Sequence, residues 1–254
     1  MRLALLFLLA APALAWGPTG HRVVALVAEE HLSAPARLEV HTLLGGETLA
    51  EASTWADDVR ERRTWRQSSP WHYVNIPDGK TYKQSRKNRR GDILTAIERF
   101  ERDLANRRNS PAKRANALRF LIHFVGDLHQ PLHVGRFEDR GGNSIDVTWF
   151  GEPTNLHRVW DSQIISRRRI SFRRWADSLD RPSRQQIAAW TASGPLDWAA
   201  ESQELRPRVY RIGDGKLGKR YDRDNLPVVR ERLLQAGVRL AAFLEKVFSA
   251  GGAG

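Results

Sequence analysis

The 254-residue sequence predicts an all-α fold, a single-domain helical bundle with a minor β-hairpin. Three observations lead there. Apolar residues recur at three- and four-residue steps along most of the chain, the period of a helix with one buried face. Only one stretch, Asn143 to Phe150, alternates polar and apolar residues as a strand does. No repeat, low-complexity tract or linker-like run divides the chain, and its length suffices for one large core.

Taken in order, Met1 to Ala15 reads as a targeting segment: Arg2, an apolar run from Leu3 to Ala11, then Ala13-Leu14-Ala15 as a cleavage signal. The run is too short to span a bilayer. Cleavage would leave Trp16 first, so the expected division is a signal peptide over 1–15 and one domain over 16–254. Thr19 to Leu32 carries Val23, Leu26, Val27 and Ala28 on one side. Ala36 to Leu44 follows and stops at Gly45-Gly46. Ser53 to Asp57 resembles an N-cap opening a short helix, and Trp71 to Ile76 is extended or loop-like up to Pro77. Asp92 to Ala105 is amphipathic, with Ile93, Ile97, Phe100 and Leu104 inward. After the strand come short helices at Leu156 to Ile165, Ser171 to Leu179, Ser183 to Trp190 and beyond Pro195. Leu226 to Phe248 closes the chain, with Val229, Leu233, Val238, Ala241 and Leu244 inward.

A net charge of +12 favours acidic partners: nucleic acid, phosphorylated substrates or anionic lipid. There are no cysteines, so any zinc must be held by His, carboxylates, backbone or terminal groups. No later segment is apolar enough to anchor in a membrane. The absence of cysteines and of Asn-x-Ser/Thr sites fits a bacterial exported protein, in periplasm or medium.

Arg119 to His133 is the organising stretch. Ala117, Phe120, Leu121, Phe124 and Leu128 form an apolar face, and His123 and Asp127 lie one turn apart on the other side. Pro131 stops the helix and places His133 on the turn. His157 and Asp161 repeat the four-residue step. Nitrogen and oxygen ligands in this pattern suit zinc. Of the eight histidines, His21, His72, His123, His133 and His157 sit at apolar edges near carboxylates, whereas His31, His41 and His129 read as surface or capping residues.

Six motifs in register then resemble a known family: Trp16-Gly-x-x-Gly-His21, Thr54-Trp-Ala-Asp57, Trp71-His-Tyr73, His123-Phe-Val-Gly-Asp127 with Gln130-Pro-Leu-His133, Gly141-Gly-Asn143, and Asn155-Leu-His157-x-x-x-Asp161. They are similar to the S1/P1 nucleases, trinuclear-zinc enzymes that prefer single strands and act on 3′-nucleotides. The fold implied is the helical bundle shared by zinc phospholipase C and these nucleases. The resemblance implies three zinc ions. Asp57, His72, His123 and Asp127 would hold one. The Trp16 amine and carbonyl, His21 and Asp127 would hold the second, and His133, His157 and Asp161 the third. A terminal amine, with a pKa near about 8, gives up its proton to a metal at modest cost.

The expected reaction is hydrolysis of phosphodiesters to 5′-phosphate and 3′-hydroxyl ends, with Asp57 orienting the nucleophile and Arg60 contacting phosphate. Tyr73 matches the position that stacks a base. Asn75 matches the one that reads its edge, where the family often has Asp, and Asn143 completes the substrate set. The basic runs at Arg60 to Arg66, Lys80 to Arg90 and Arg167 to Arg174 could track a nucleic-acid backbone. Partners are thus single-stranded nucleic acid and 3′-nucleotides, met by a monomer with no membrane contact. Zinc phospholipase C on the same fold, a non-catalytic polyanion binder and a structural metal protein are the alternatives. The first usually spaces its first His farther from the terminus and ends its ligand set in Glu.

Overall fold

A computed structural model describes residues 16–179 and 181–250; the targeting segment expected at 1–15 lies outside them. The bundle begins with α1 (Pro18–His31), with proline at the helix start where its missing N–H costs nothing. Helix α2 (Ala34–Leu44) is capped by the Ser33 hydroxyl and ended by left-handed Gly45 at φ 63°. His31 and His41 lie in the last turns of these helices, where a cationic side chain suits the helix dipole. Two short helices follow, α3 (Leu49–Ala52) and α4 (Trp55–Arg60). The expected cap on α4 is not made. Thr54 sits at the N-cap position without a side-chain bond, and the Ser53 hydroxyl donates backward to Ala50 O at 2.8 Å.

A 3₁₀ turn (Arg66–His72) leads into strand β1 (Val74–Asn75). Then α5 (Ile93–Ala105) starts on an Asp92 cap, with Ile93, Ile97, Phe100 and Leu104 all buried. It packs against α6 (Pro111–Leu128) through Phe100, whose ring stacks on Phe120 at 4.5 Å. Helix α6 departs from the two-faced helix expected. Residues 117 to 128 other than Arg119 are buried, so His123 and Asp127 face an interior rather than a solvated side.

A second 3₁₀ turn (Pro131–His133) feeds β2 (Val134–Gly135). This strand pairs in parallel with β1, Val74 opposite Val134 and Asn75 opposite Gly135. The extended run expected within Trp71–Ile76 is thus β1, with Trp71 and His72 still in the 3₁₀ turn; its parallel partner could not be read, because two-residue strands are too short to show a period. Next come β3 (Asp146–Trp149) and β4 (Glu152–Asn155), the expected hairpin. Helix α7 (Leu156–Arg158), a π turn (Val159–Gln163) and α8 (Ile164–Ser166) run on without a break. Helices α9 (Phe172–Ser178), α10 (Arg184–Thr191), α11 (Pro195–Glu204) and α12 (Arg206–Val209) follow. Strand β5 (Lys216–Leu217) adds to β3 in parallel.

Helix α13 (Lys219–Ala250) starts a full two turns before the expected Leu226, with Pro227 inside it. Its five expected inward residues are all buried. It lies along α1 so closely that a Cβ at Gly237 would overlap Val27 Cβ and sit 2.9 Å from Val24 O. Glycine here is what lets the two backbones meet. Gly237→Ala should therefore overpack the interface by about 1–3 kcal/mol. Thermal unfolding of the variant should show Tm lowered by about 2–4 °C per kcal/mol for a chain of this size.

Candidate active site

Six helices and turns deliver side chains to one buried place. Helix α1 supplies His21, α4 supplies Asp57 and Arg60, and the turn before β1 supplies His72. Helix α6 supplies His123 and Asp127, the turn before β2 supplies His133, and α7 with its π turn supplies His157 and Asp161. Three groups of ligand atoms lie within 4.8 Å of one another: His72, His123 and Asp127; His21, Asp57 and His123; and His133, His157 and Asp161.

Asp127 joins the first two. Its Oδ1 is 3.2 Å from His21 Nε2, and its Oδ2 is 3.1 Å from His72 Nδ1 and 3.3 Å from His123 Nε2. Asp57 Oδ1 faces His72 Nδ1 at 3.8 Å and His123 Nε2 at 3.7 Å. In the third group His157 Nε2 is 3.0 Å from Asp161 Oδ2, and His133 Nε2 is 3.7 Å from Asp161 Oδ1.

The rings are held from behind. Nδ1 of His123 bonds Ser53 O at 2.7 Å, that of His133 bonds His72 O at 2.6 Å, and that of His157 bonds Gly141 O at 2.6 Å. A carbonyl accepts only from N–H, so each Nδ1 carries a proton and Nε2 is the nitrogen left to face the cluster. Burial holds His21, His72 and His133 well below the usual imidazole pKa, the neutral state a metal requires. Burial also raises Asp127, to about 7, against the pull of His123.

These residues fit a metal centre on one decisive ground. His21 Nδ1 and Nε2, Asp57 Oδ1, His72 Nε2, Asp127 Oδ1, His133 Nε2 and His157 Nε2 are buried without a hydrogen-bond partner. His21 Nε2 and Asp127 Oδ1 lie 3.2 Å apart yet make no hydrogen bond. Left unsatisfied, each buried polar atom costs about 1–3 kcal/mol; cations between them remove the cost.

The cluster lies beside a cavity of about 670 Å³ whose wall carries Arg60, Tyr73, Asn75 and Asn143, with His72, His133 and His157 among its lining. Arg60 is buried, 3.4 Å from Asp57 Oδ1, and its Nη2 has no partner. Tyr73 is exposed. Asn143 donates Nδ2 to Arg140 O at 2.8 Å. The expected His and Asp ligands thus cluster beside a cavity that also carries Arg60, Tyr73, Asn75 and Asn143, while Trp16 is buried with its side chain against Gly20, one residue before His21.

The sequence matches the S1/P1 nuclease family over residues 16–249. The chain belongs to the S1/P1 nuclease family. Endonuclease 4 of Arabidopsis thaliana is 34% identical over 93% of this chain and 90% of its own. Nuclease S1 of Aspergillus oryzae is 30% identical over 92% of each. Nuclease P1 of Penicillium citrinum is 34% identical over 58% of this chain and 57% of its own. As an S1/P1 nuclease the protein is a hydrolase of phosphodiester bonds, and its His/Asp clusters are able to hold metal ions.

Three supporting features of this S1/P1 nuclease escaped the sequence. His129, expected at the surface or as a cap, does take the C-cap position of α6 but is fully buried. Its Nδ1 meets Val125 O at 2.8 Å and its Nε2 meets Arg239 Nη1 at 3.1 Å. Gln130 is buried, donates to Asp161 Oδ1 and accepts from Leu132 N at 2.6 Å, which orients a ligand carboxylate. Arg206 is buried too. Its Nη1 gathers Ile76 O at 2.7 Å, Val134 O at 3.1 Å and Gly135 O at 2.9 Å, clamping the strands that follow Tyr73 and His133. Gln130 lay within a quoted motif, but nothing local marked Arg206.

The glycine of His123-Phe-Val-Gly-Asp127 has a physical reason. A Cβ at Gly126 would sit 2.9 Å from His21 Nδ1, while the His21 ring stacks on His123 at 3.8 Å. Gly126→Ala should push His21 out of the cluster. Elemental analysis of the dialysed variant should show at least one metal equivalent fewer than the parent, with helical circular dichroism retained. Full metal content would mean that His21 is not a ligand.

Proposed function

We propose that the protein is a zinc-dependent endonuclease of single-stranded DNA and RNA that leaves 5′-phosphate products and also removes phosphate from 3′-nucleotides. The observation that carries this reading is the set of unpartnered, buried nitrogen and oxygen atoms next to a cavity walled by an exposed tyrosine and a buried arginine. Five imidazoles with carboxylates and no thiolate suit zinc in an oxygen-rich setting. Three ions fit the donor groups: one by Asp57, His72, His123 and Asp127; one by His21, Asp127 and the amine and carbonyl of Trp16; one by His133, His157 and Asp161. Zinc so held would lower the pKa of water and offset charge on phosphorus.

The chain's own groups do the rest. Asp57, whose buried Oδ1 makes no hydrogen bond, accepts a proton from water and orients it. The Arg60 guanidinium, held by Asp57, meets the phosphate and stabilises charge as the bond to the 3′-oxygen breaks. Tyr73 offers its ring to one base, and Asn75 and Asn143 offer amides to its edge and sugar. Stacking of this kind tolerates any sequence but requires an unstacked base, hence the preference for single strands. The Trp16 amine exists only after cleavage behind Ala15, so activity is linked to export, to periplasm or medium, as a soluble monomer. No helix among the described residues is long and apolar enough to cross a membrane.

The test is protein starting at Trp16, with and without chelator, on single-stranded DNA, RNA, a 3′-nucleotide and phosphatidylcholine. Cleavage of the first three, abolished by chelator and restored by zinc, is expected; hydrolysis of the lipid alone would favour a phospholipase. A form retaining residues 1–15 should bind fewer zinc ions and lose activity, since residue 16 then offers only a peptide N–H. Loss of the aromatic ring in Tyr73→Ala should raise KM about 5- to 150-fold, the equivalent of about 1–3 kcal/mol of stacking.

A further inference from the structure

A second cavity of about 660 Å³ adjoins the metal-side one, and the two share Tyr73, Asn75 and Phe137 in their linings. Its far side is formed by Arg86, Lys87, Asn88 and Arg89, all exposed. Lys87 is occupied locally, its Nζ 3.3 Å from the Tyr82 ring centre and 3.1 Å from Ser85 Oγ. Arg86 and Arg89 show no ion pair among the described residues. Phe137 stands on the boundary with 76% of its surface in water, more than any other large apolar side chain described. Leaving a phenyl ring that open, in a cavity whose lining also includes a tyrosine and two exposed guanidinium groups, makes sense for a ligand that alternates flat rings and anions.

We infer that this cavity is an extended subsite for the same substrate strand. It takes nucleotides beyond the one at Tyr73, with Phe137 stacking the next base and Arg86 and Arg89 neutralising its phosphates. The inference rests on the nuclease reading of the metal-side cavity and adds what it lacks: a reason for a polymer to be preferred over a mononucleotide. The occupant is a single strand because a base must leave its stack to lie against Phe137. Continuity with the first cavity gives the strand its path. Each phosphate neutralised on a single strand contributes about 0.7 to the slope of log affinity against log salt, so two arginines should contribute about 1.4.

The experiment uses zinc-loaded protein starting at Trp16 and compares kcat/KM for a deoxyhexanucleotide and a deoxydinucleotide across a salt series. The parent should favour the hexamer. In Arg86→Ala/Arg89→Ala the hexamer-to-dimer ratio should drop at least five-fold, and the salt slope for the hexamer should flatten by about 1.4. Phe137→Ala should also lower the ratio, whereas Phe137→Trp should keep it. An equal ratio in parent and double variant, or a parent with no length preference, overturns the subsite. A parent that cleaves neither oligonucleotide overturns the nuclease reading instead, so the two failures are told apart. If the double variant changes only the capture of an acidic peptide and not the ratio, the cavity serves a protein partner and the inference is wrong.

Discussion

A concentration of unmet lone pairs at the centre of the helices is the constraint that the rest of this molecule serves. Imidazoles and carboxylates buried with no partner are costly in a protein interior. They persist here because the C-terminal part of α6 is buried and cannot turn His123 and Asp127 to water. Around that helix, α1, α4 and the two 3₁₀ turns each contribute a ligand and little else in common. The fold thus reads as a frame that brings distant segments to one point, and binding of cations would convert an electrostatic liability into a cross-link among at least five of them.

The frame has its own supports. Glu201 on α11 accepts from Arg232 Nη1 at 2.7 Å and from Arg239 Nη1 and Nη2 at 2.6 Å each, fastening α11 to α13. Arg232 Nε in turn reaches His129 O at 3.1 Å, and Ser202 donates to Leu128 O at 2.6 Å. The end of α6, just past Asp127, is therefore tied into a buried polar network. Such networks fix a single arrangement when every member is satisfied. This one keeps the bridging carboxylate from drifting.

How much of this could be read from the sequence depends on whether a signal was local. The i, i+4 pairs His123/Asp127 and His157/Asp161 and the short motifs around His21, Asp57, His72 and His133 pointed to the side chains that the fold gathers into the three His/Asp groups, because the family's spacings are preserved in them. Helical periods gave α5 and the inner face of α13 correctly. What stayed hidden came from contacts far apart in the chain. The β1–β2 pairing links residues about sixty positions apart, and Arg206 reaches back more than seventy to its carbonyls. The capping role of His129 could be read, but its burial could not: it is covered by Arg232 and Arg239 of α13 and Trp198 of α11, which no neighbouring residue announces. That the side of α6 carrying His123 and Asp127 is also buried was not legible, because helix periodicity shows which side is most apolar, not whether the other side is enclosed.

The braces behind His123, His133 and His157 are main-chain carbonyls. Replacing the side chain of Ser53 would leave the oxygen that holds His123 in place, so the serine could be swapped for another small residue while the ring keeps its tautomer. Basicity of the ligand rings is then governed by the path of the backbone, and drift in residue identity there is largely silent. A deletion or insertion in the segments near 53, 72 or 141 would do what substitutions cannot, by moving the carbonyl itself.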